Sequence, residues 1–400
     1  MADFTALKTY MDNLHKKGGI PGCDVIVYHK GQPVFRHMAG CADHARTRSI
    51  DEHTLYNMYS CTKPVTATAA MQLVEQGKLE LDAPVSRYLP EYADAFVIED
   101  GRRVTVGDTM TVRHLFTMTA GLTYNMTTPS IRAVREQNPQ ATTRQMAAAF
   151  VREPLTFRPG QRFQYSLCHD ALAAVVEVVS GMRFGDYLQQ HIFTPLGMTD
   201  IGFFPTEEQM SRVADQYLVA DKQEIESLRE AYDDPFLPEP DGERALILMN
   251  DKTVGVFRLS GQYESGGAGL VSCTEAYGRF VAAMSCGGTA ADGTRILRPE
   301  TVDLMHTEQL SSFEGIGVYG CAVAPGYGYG LGVRTLIDKS IGARSSLGEF
   351  GWNGAAGSYI LMDPATQVGI VYAMHVRNWP AMFHGTHDPV RDLTYKALGL

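Results

Sequence analysis

The 400-residue sequence lacks the long apolar runs of a membrane protein. No window approaches the ~20 apolar residues that a membrane-spanning helix needs. The N-terminal stretch MADFTALKTYMDNLHKKGG carries charges every few residues and does not resemble a secretory signal. Basic residues are in deficit, since 35 Lys and Arg face 45 Asp and Glu, giving a formal net charge of −10. We therefore expect no membrane partner and no nucleic-acid partner, because both recruit basic surfaces.

Cysteine pairs suited to disulfides are missing as well. The seven cysteines are odd in number and scattered, and none stands in a C-x-x-C pair. Such a set is typical of free, mostly buried thiols in a reducing compartment, so we predict a cytoplasmic location. Charged residues make up only 20% of the chain, whereas hydrophobic residues make up 44%. This balance excludes a disordered chain, a coiled coil and a disulfide-stapled miniprotein, and it allows a large core.

The two ends of the sequence carry strand patterns. Near the N-terminus, a helical period from Phe4 to Leu14 precedes CDVIVYHKGQPVFRHMAG, whose alternation predicts a β-hairpin. A helix is predicted next, over about 61–76. Near the C-terminus, SYILMDP and QVGIVYAMH predict two strands joined by a turn, and a last helix is predicted over about 388–398.

Helical patterns dominate the middle, from about 82 to 250, and include TVRHLFTM, TRQMAAAFVRE, HDALAAVVEVVSG and SLREAY. The acidic, proline-rich stretch 232–243 is predicted to be a surface loop. Strands at both ends with helices between them indicate one sheet assembled from the two termini. We therefore predict an α/β domain of residues 1–85 and 255–400 and a helical insertion domain of residues 86–254. A cleft between such lobes is a usual place for a small-molecule site.

The first candidate catalytic group is Ser60, in the segment YSCTKP. A serine three residues before a lysine at the start of a helix shares a face with it, and Ser60 and Lys63 have this spacing. The positive end of the helix would lie beneath the serine. A partly buried lysine has a lowered pKa and can take the serine proton. A capping serine with a solvated lysine is an equally good interpretation of this motif alone.

The second candidate is Tyr165, in FQYSL, which follows the turn Arg158-Pro159-Gly160 and precedes a predicted helix. A tyrosine at the mouth of a helix can relay a proton between nucleophile and leaving group. A core tyrosine with a satisfied hydroxyl is the commoner alternative.

The third candidate is the segment FGWNGAAG, over 350–357, which precedes the strand SYILMDP. Small residues at the start of a strand let a bound acyl group approach the backbone. An N–H group there can complete an oxyanion hole with the N–H of Ser60. The alternative is a glycine-rich turn between two sheet strands.

Taken in this order, the three segments resemble the serine β-lactamase and penicillin-binding-protein superfamily, whose motifs include S-x-x-K. The sequence is most similar to class C β-lactamases and to the β-lactamase-like carboxylesterases of family VIII. The resemblance covers nearly the whole chain and includes TKPVTATAAMQLVEQGKLELDAPVSRYLPEY, TVRHLFTMTAGL, FRPGQRFQYS, TPLGMTD and SGGAGLVSCTEAYGRF. It implies an α/β (α+β) fold with an antiparallel sheet flanked by helices, plus an all-helical lobe.

The resemblance also implies roles for individual residues. Ser60 would be the nucleophile and Lys63 its activating partner, while Tyr165 would share the general-base and general-acid work. The backbone N–H groups of Ser60 and Ala355 would hold the oxyanion. No cofactor and no metal ion is implied.

Two departures from class C enzymes indicate the substrate. The Y-x-N motif has Leu167 in place of its Asn, and K-T-G is replaced by Trp352-Asn353-Gly354. The lysine and hydroxyl of K-T-G help to bind the carboxylate of a β-lactam, whereas Trp352 carries no charge and Asn353 offers one hydrogen bond. Both variants, W-x-G and Y-S-L, occur among the β-lactamase-like esterases. We therefore predict ester hydrolysis and poor recognition of penicillins.

The predicted partner is a small-molecule ester or amide, and the oligomeric state is not predicted. Trp352, Asn353, Gly354 and Tyr124 are the candidate substrate-binding residues. The aromatic and Met-rich stretches could line an apolar pocket, although general packing is their commoner role, and they supply Tyr124, Met126, Tyr319, Tyr327, Tyr329 and Trp352. Alternatives are a β-lactamase, a D-amino-acid peptidase or amidase, an acyltransferase on the same site, and a catalytically silent binding protein.

Other patterns are set aside. A set of C-terminal residues fits a zinc site only loosely, with no H-E-x-x-H and no cysteine, and consists of His375, His384, His387 and Asp388. The run Cys168-His169-Asp170 is not a triad, because adjacent residues cannot converge on one atom. The absence of G-x-S-x-G argues against an α/β-hydrolase fold.

Overall fold

The computed structural model of the protein describes residues 2–17, 19–221, 236–238, 244–249, 252, 253, 255–311, 326–379 and 381–400. The α-helices in these ranges are α1 Thr5–Lys16, α2 Thr62–Glu75, α3 Val112–Phe116, α4 Pro129–Gln137, α5 Thr143–Ala147, α6 Cys168–Ser180, α7 Phe184–Leu188, α8 Glu207–Arg212, α9 Thr274–Ser285, α10 Pro299–His306 and α11 Asp388–Leu398. The strands are β1 Gly22–His29, β2 Gln32–Gly40, β3 Tyr56–Asn57, β4 Phe96–Glu99, β5 Arg102–Thr105, β6 Ile201–Gly202, β7 Tyr217–Asp221, β8 Phe236–Pro238, β9 Arg244–Leu248, β10 Val271–Ser272, β11 Tyr327–Tyr329, β12 Arg334–Leu336, β13 Phe350–Asn353, β14 Tyr359–Asp363, β15 Val368–Met374 and β16 Val376–Arg377.

A seven-stranded antiparallel sheet joins the two ends of the chain, in the order β11-β12-β13-β14-β15-β1-β2. Strand β1 pairs with β15 from Cys23 opposite Met374 to His29 opposite Val368. The β1–β2 hairpin turns at Lys30-Gly31, where both residues have a positive φ, as a tight two-residue turn requires. The predicted hairpin, the C-terminal strand pair and the single sheet built from both ends are confirmed.

Helices cover both faces of this sheet. On one face α1 and α11 share a buried cluster with Val25 and Ile370. On the other face α2 and α9 share a larger cluster with Ile26 and Val371. Successive strand residues point to opposite faces, so a strand covered on both sides must be apolar throughout, as β15 is.

The middle of the chain is largely helical, with α6 packed against α2, α3 and α5. It is not built of helices alone: β4 and β5 form a hairpin, and β7, β9 and β8 form a second sheet with β16. Of the stretch 232–243, predicted to be a loop, only 236–238 is described, and it forms β8. The predicted helix SLREAY lies outside the described residues. The proposed division into residues 1–85 with 255–400, and 86–254, stays a prediction.

Candidate active site

Ser60 lies in a sharp turn at the beginning of α2. The turn Tyr59–Cys61 is 3₁₀-helical, and α2 follows it directly. Tyr59 has a φ of 45°, a left-handed conformation that tyrosine rarely adopts. Its side chain is buried, its hydroxyl donates to Gln216, and its ring packs edge-on against Phe257. These contacts hold the strained residue and thereby fix Ser60, which is half-buried.

Lys63 lies one turn further along α2, on the same face as Ser60, and is completely buried. Its Nζ donates to Ser60 Oγ at 3.2 Å and to the carbonyl oxygen of Gly267 at 2.7 Å. The Nζ also lies 4.4 Å from the centroid of the Tyr165 ring. A buried amine needs polar partners, and these contacts direct it towards the serine hydroxyl.

Tyr165 lies three residues before α6 and reaches Ser60 from there. Its hydroxyl donates to Ser60 Oγ at 2.6 Å and accepts a hydrogen bond from Trp352 Nε1 at 3.3 Å. The Tyr165 and Trp352 rings are stacked, with centroids 5.8 Å apart and planes inclined by 10°. The serine hydroxyl, the lysine amine and the tyrosine hydroxyl are therefore within reach of proton transfer to one another.

Aromatic rings surround this group on one side. Tyr124 is half-buried, its ring centroid lies 5.2 Å from that of Tyr165, and Lys63 Nζ lies 5.7 Å from it. Tyr329 packs edge-on against Trp352 at 5.3 Å. Of the other predicted lining residues, Met126 packs on the core, Tyr327 accepts from Arg391, and Tyr319 lies outside the described residues.

The end of β13 lies against the Ser60 turn. An added Cβ at Gly354 would come within 2.5 Å of the Met58 carbonyl oxygen, so only glycine permits this close approach. Ala355 follows in the turn to β14 and packs against the buried pair Tyr59 and Ala356. The turn that carries Ala355 and the turn that carries Ser60 are thus in contact.

Neighbouring residues of a strand point to opposite faces, and the predicted substrate-binding residues of β13 divide accordingly. Trp352 faces Tyr165. Asn353 Oδ1 accepts a hydrogen bond from Arg334 at 3.1 Å. Arg334 is itself buried, donates to the carbonyl of Ile360 and lies 4.0 Å from Glu349. Arg334 is therefore a cation held within the protein, where it contacts Asn353.

Sequence reasoning missed Asp170. That residue was considered only within the run Cys168-His169-Asp170, which was rejected as a catalytic triad. Asp170 is buried, and its Oδ1 accepts hydrogen bonds from the hydroxyls of Tyr263 and Ser265, each at 2.6 Å. The backbone N–H of Gly267 is directed at the same oxygen, at 3.4 Å. Asp170 therefore fixes the loop whose Gly267 carbonyl holds Lys63.

Gly267 occupies the gap between Asp170 and Lys63. An added Cβ would lie 2.5 Å from Asp170 Oδ2, which would have to shift, and 3.5 Å from Lys63 Nζ, which is an ordinary contact. The small residues of SGGAGL were a weak sequence signal for such a close approach. No local sequence pattern connected these small residues to Asp170, because Gly267 and Asp170 are 97 positions apart in the sequence.

Burial keeps three titratable groups near Ser60 in their neutral forms. It raises the pKa of the Cys61 thiol to about 12 and that of the Cys168 thiol to about 12. It also lowers the pKa of the His169 imidazole to about 3, with the nearby Lys63 charge acting in the same direction. These three groups are consequently poor candidates for nucleophile or base at neutral pH.

The C-terminal histidines are engaged elsewhere. His375 is buried and bonded to the carbonyl of Asp215, and His387 is buried and bonded to the carbonyl of Gly357 at 3.0 Å. Across the described ranges, no group of three His, Cys, Asp or Glu side chains is placed to hold a metal ion. In the same ranges, every helix is too short or too polar to cross a bilayer.

Comparison with known proteins identifies the family. The family model described as Beta-lactamase matches residues 7–394. The chain belongs to the β-lactamase family. Esterase EstB of Burkholderia gladioli is 30% identical over 378 residues, which cover 91% of this chain and 88% of EstB. The predicted relation to the β-lactamase and penicillin-binding-protein superfamily, and the predicted class of serine hydrolase, are confirmed.

Two solved structures have the same fold as this chain. EstCE1, described as a hydrolase with promiscuous acyltransferase activity, has a TM-score of 0.73 and 25% identity, covering 98% of this chain and 97% of its own. A family VIII carboxylesterase has a TM-score of 0.72 and 21% identity, covering 98% of this chain and 97% of its own. At this identity the likeness supports the fold alone. The predicted β-lactamase/transpeptidase-like fold is confirmed.

Proposed function

We propose that this protein hydrolyses carboxylic esters of small molecules through an acyl-enzyme on Ser60. One observation carries the proposal: Ser60 Oγ lies at once 3.2 Å from Lys63 Nζ and 2.6 Å from the Tyr165 hydroxyl. A serine hydroxyl is a weak nucleophile until a neighbouring base removes its proton. The pair of Lys63 and Tyr165 provides that base.

In the acylation step, Ser60 Oγ attacks the ester carbonyl carbon and its proton passes to the Lys63–Tyr165 pair. The bond from the carbonyl carbon to the alkoxy oxygen then breaks. Tyr165 delivers the proton to the departing oxygen, so an alcohol leaves and the acyl group stays on Ser60. In the second step, water attacks the acyl carbonyl, loses its proton to the same pair, and releases a carboxylic acid while the proton returns to Ser60.

The negative charge that develops on the carbonyl oxygen needs donors fixed in advance. We assign this role to the backbone N–H groups of Ser60 and Ala355. The assignment is supported by the contact between their two turns, which depends on the missing side chain of Gly354.

The preference for esters over penicillins follows from the end of β13. Trp352 supplies a neutral ring stacked on Tyr165, in the position where class C enzymes carry a lysine. Arg334 contacts Asn353 from within the protein, so it does not replace that lysine at the surface of the cleft. A β-lactam carboxylate would lack a cationic partner there, and its binding would be weaker.

Acyl transfer is the second candidate, because EstCE1 is described as having this activity beside hydrolysis. An alcohol would replace water in the second step and the same residues would act. Adding a primary alcohol to the assay and measuring the new ester would detect transfer.

We further propose a reducing location such as the cytoplasm, since all six described cysteines are free thiols.

The decisive experiment compares p-nitrophenyl butyrate with nitrocefin. We expect rapid cleavage of the ester, little cleavage of nitrocefin, and an approximately 10³-fold loss of esterase activity in Ser60→Ala. A fluorophosphonate probe should label the native protein and spare this variant. Ser211→Ala, which changes an exposed serine, is the matched control. Fast nitrocefin turnover without ester cleavage, or undiminished labelling of Ser60→Ala, would overturn the proposal.

A further inference from the structure

A cavity outside the Ser60 site lies between α4 and the segment 258–261. Its volume is about 610 Å³, and its walls include three arginines, Arg132, Arg135 and Arg258. Glu136 is the one acidic residue among the lining residues of this cavity. In a chain with a formal net charge of −10, this concentration of positive charge is unexpected.

The three guanidinium groups have no carboxylate partner within the described ranges. Other arginines in those ranges form ion pairs, as Arg113 does with Asp82, whereas Arg132, Arg135 and Arg258 are exposed and form none there. Arg132 and Arg135 stand three residues apart on α4, which places them on one face, where like charges repel. A position near the C-terminal end of the helix favours a cation and accounts for Arg135 alone. Across the cavity, the guanidinium group of Arg258 lies 5.0 Å from the centroid of the Phe204 ring and donates to the carbonyl of Gly261 at 3.5 Å, so a ring and a carbonyl hold it and no described carboxylate does.

The walls of the cavity are fixed relative to each other. The backbone N–H of Gly261 donates to the carbonyl of Pro139 at 2.8 Å, and the buried Ser260 hydroxyl donates to the carbonyl of Ala141. The Nε of Arg132 donates to the carbonyl of Thr127 at 2.8 Å, which orients its guanidinium group. The backbone that carries the arginines is therefore ordered before any ligand binds, so binding need not supply the free energy of ordering it.

The cavity adjoins the aromatic wall of the active site through two chain segments. Phe257 precedes Arg258, and its ring lies 6.0 Å from Tyr124 and 5.6 Å from Tyr59. Helix α4 begins five residues after Tyr124, whose ring is 5.2 Å from Tyr165. The two aromatic rings beside the Ser60 site thus belong to the chain segments that lead into the walls of the cavity.

We propose that this arginine cavity binds the carboxylate at the far end of a dicarboxylic half-ester, whose acyl chain runs from Ser60 over Tyr124 and Phe257. The inference rests on the proposed ester hydrolysis and adds the substrate class. A methylene chain suits the two aromatic rings, and a carboxylate suits guanidinium groups, which bind it with charge-assisted hydrogen bonds.

The test compares p-nitrophenyl butyrate with the p-nitrophenyl half-esters of adipate and suberate. The Arg132→Gln/Arg135→Gln double variant should lose about tenfold in kcat/KM towards the half-esters, chiefly through KM, because it removes charged hydrogen bonds. Activity on butyrate should stay within about twofold, which also shows that the variant is folded. Sodium chloride should raise KM for the half-esters in the native protein more than in the variant.

The control is Arg102→Gln/Arg295→Gln, which removes two charges from exposed arginines elsewhere. It should leave the ratio of half-ester to butyrate activity unchanged. The native protein and Arg132→Gln/Arg135→Gln could both hydrolyse butyrate with the same ratio of half-ester to butyrate activity. That result would overturn the arginine subsite and leave the proposed function standing. If the native protein cleaves neither type of ester, both proposals fail.

Discussion

The two sides of Ser60 are built differently. Behind it, Lys63, Asp170 and the 263–267 loop are buried and joined by hydrogen bonds of 2.6–2.7 Å. In front of it lie Trp352, Tyr124 and the turn at Ala355. Their contacts are mainly between aromatic rings, together with the close backbone approach that Gly354 permits. The buried side keeps a lysine amine in one position, and we propose that the other side, which we call the open side, determines which molecule can reach it. Changes behind the nucleophile should therefore reduce the rate for every substrate, and changes in front should alter the choice among substrates.

The most severe change to the buried side is Lys63→Met. Methionine fills a comparable volume but cannot accept a proton, so kcat/KM for p-nitrophenyl butyrate should fall about 10³-fold. Initial rates measure this, and Lys78→Met, at an exposed lysine, is the control. Activity within tenfold of the native value would mean that Tyr165 alone activates Ser60.

A change at Asp170 acts on the same side without touching the substrate. Asp170→Ala removes the acceptor shared by Tyr263 and Ser265 and should cost about 2–4 kcal/mol of stability. If the loop then releases Lys63, kcat should fall about 10- to 100-fold with KM unchanged.

Asp170→Asn is the matched variant, because it keeps an oxygen acceptor for both hydroxyls. It should restore most of kcat. A loss of stability in Asp170→Ala with normal kcat in the remaining folded protein would show a structural role only. Thermal unfolding and steady-state kinetics on one preparation separate these outcomes.

The open side can be tested at Trp352. Trp352→Phe keeps a ring to stack on Tyr165 but removes the Nε1 donor that contacts its hydroxyl. The loss of one hydrogen bond should lower kcat for p-nitrophenyl butyrate about two- to tenfold. The p-nitrophenyl esters of longer acids should then change their relative rates more than they do in Lys63→Met. If kcat fell by the same factor for all the p-nitrophenyl esters, Trp352 would affect the rate in the way expected of residues on the buried side.

The smallest effect is expected at Cys61, next to the nucleophile. Since burial raises its pKa to about 12, the thiol stays protonated at pH 8, and iodoacetamide should leave activity unchanged. Among the six cysteines that the structure describes, alkylation should fall on the half-buried Cys41 and Cys286, which mass spectrometry can locate. Inactivation accompanied by modification of Cys61 would show that the core next to Ser60 opens in solution.

The sequence predicted the parts of the site that depend on local spacing or on family motifs. The Ser60–Lys63 separation is a helical step, and its geometry follows from the helix itself. Tyr165 and Trp352 were found through their family motifs, and the structure brings them together with Ser60. Asp170 was missed because its partners, Tyr263 and Ser265, are distant in the sequence and show no pattern of their own.

The same limit applies to the fold. The hairpin at Lys30-Gly31 and the last helix were predictable from turn residues and period. The strands β7 and β9 lie in a region where helical patterns dominate, and each depends on a partner strand for its hydrogen bonds. Such pairing is a property of the folded chain, and composition does not reveal it.

The pairing of β1 with β15 has a consequence for synthesis on the ribosome. Strand β1 emerges among the first residues, but one of its two neighbours in the sheet is made near the end of translation. Until then Ser60 has been synthesised without the turn at Ala355 that follows β13. A nascent chain would carry the nucleophile early and acquire a complete acyl site only in its last stage of production, when the sheet closes.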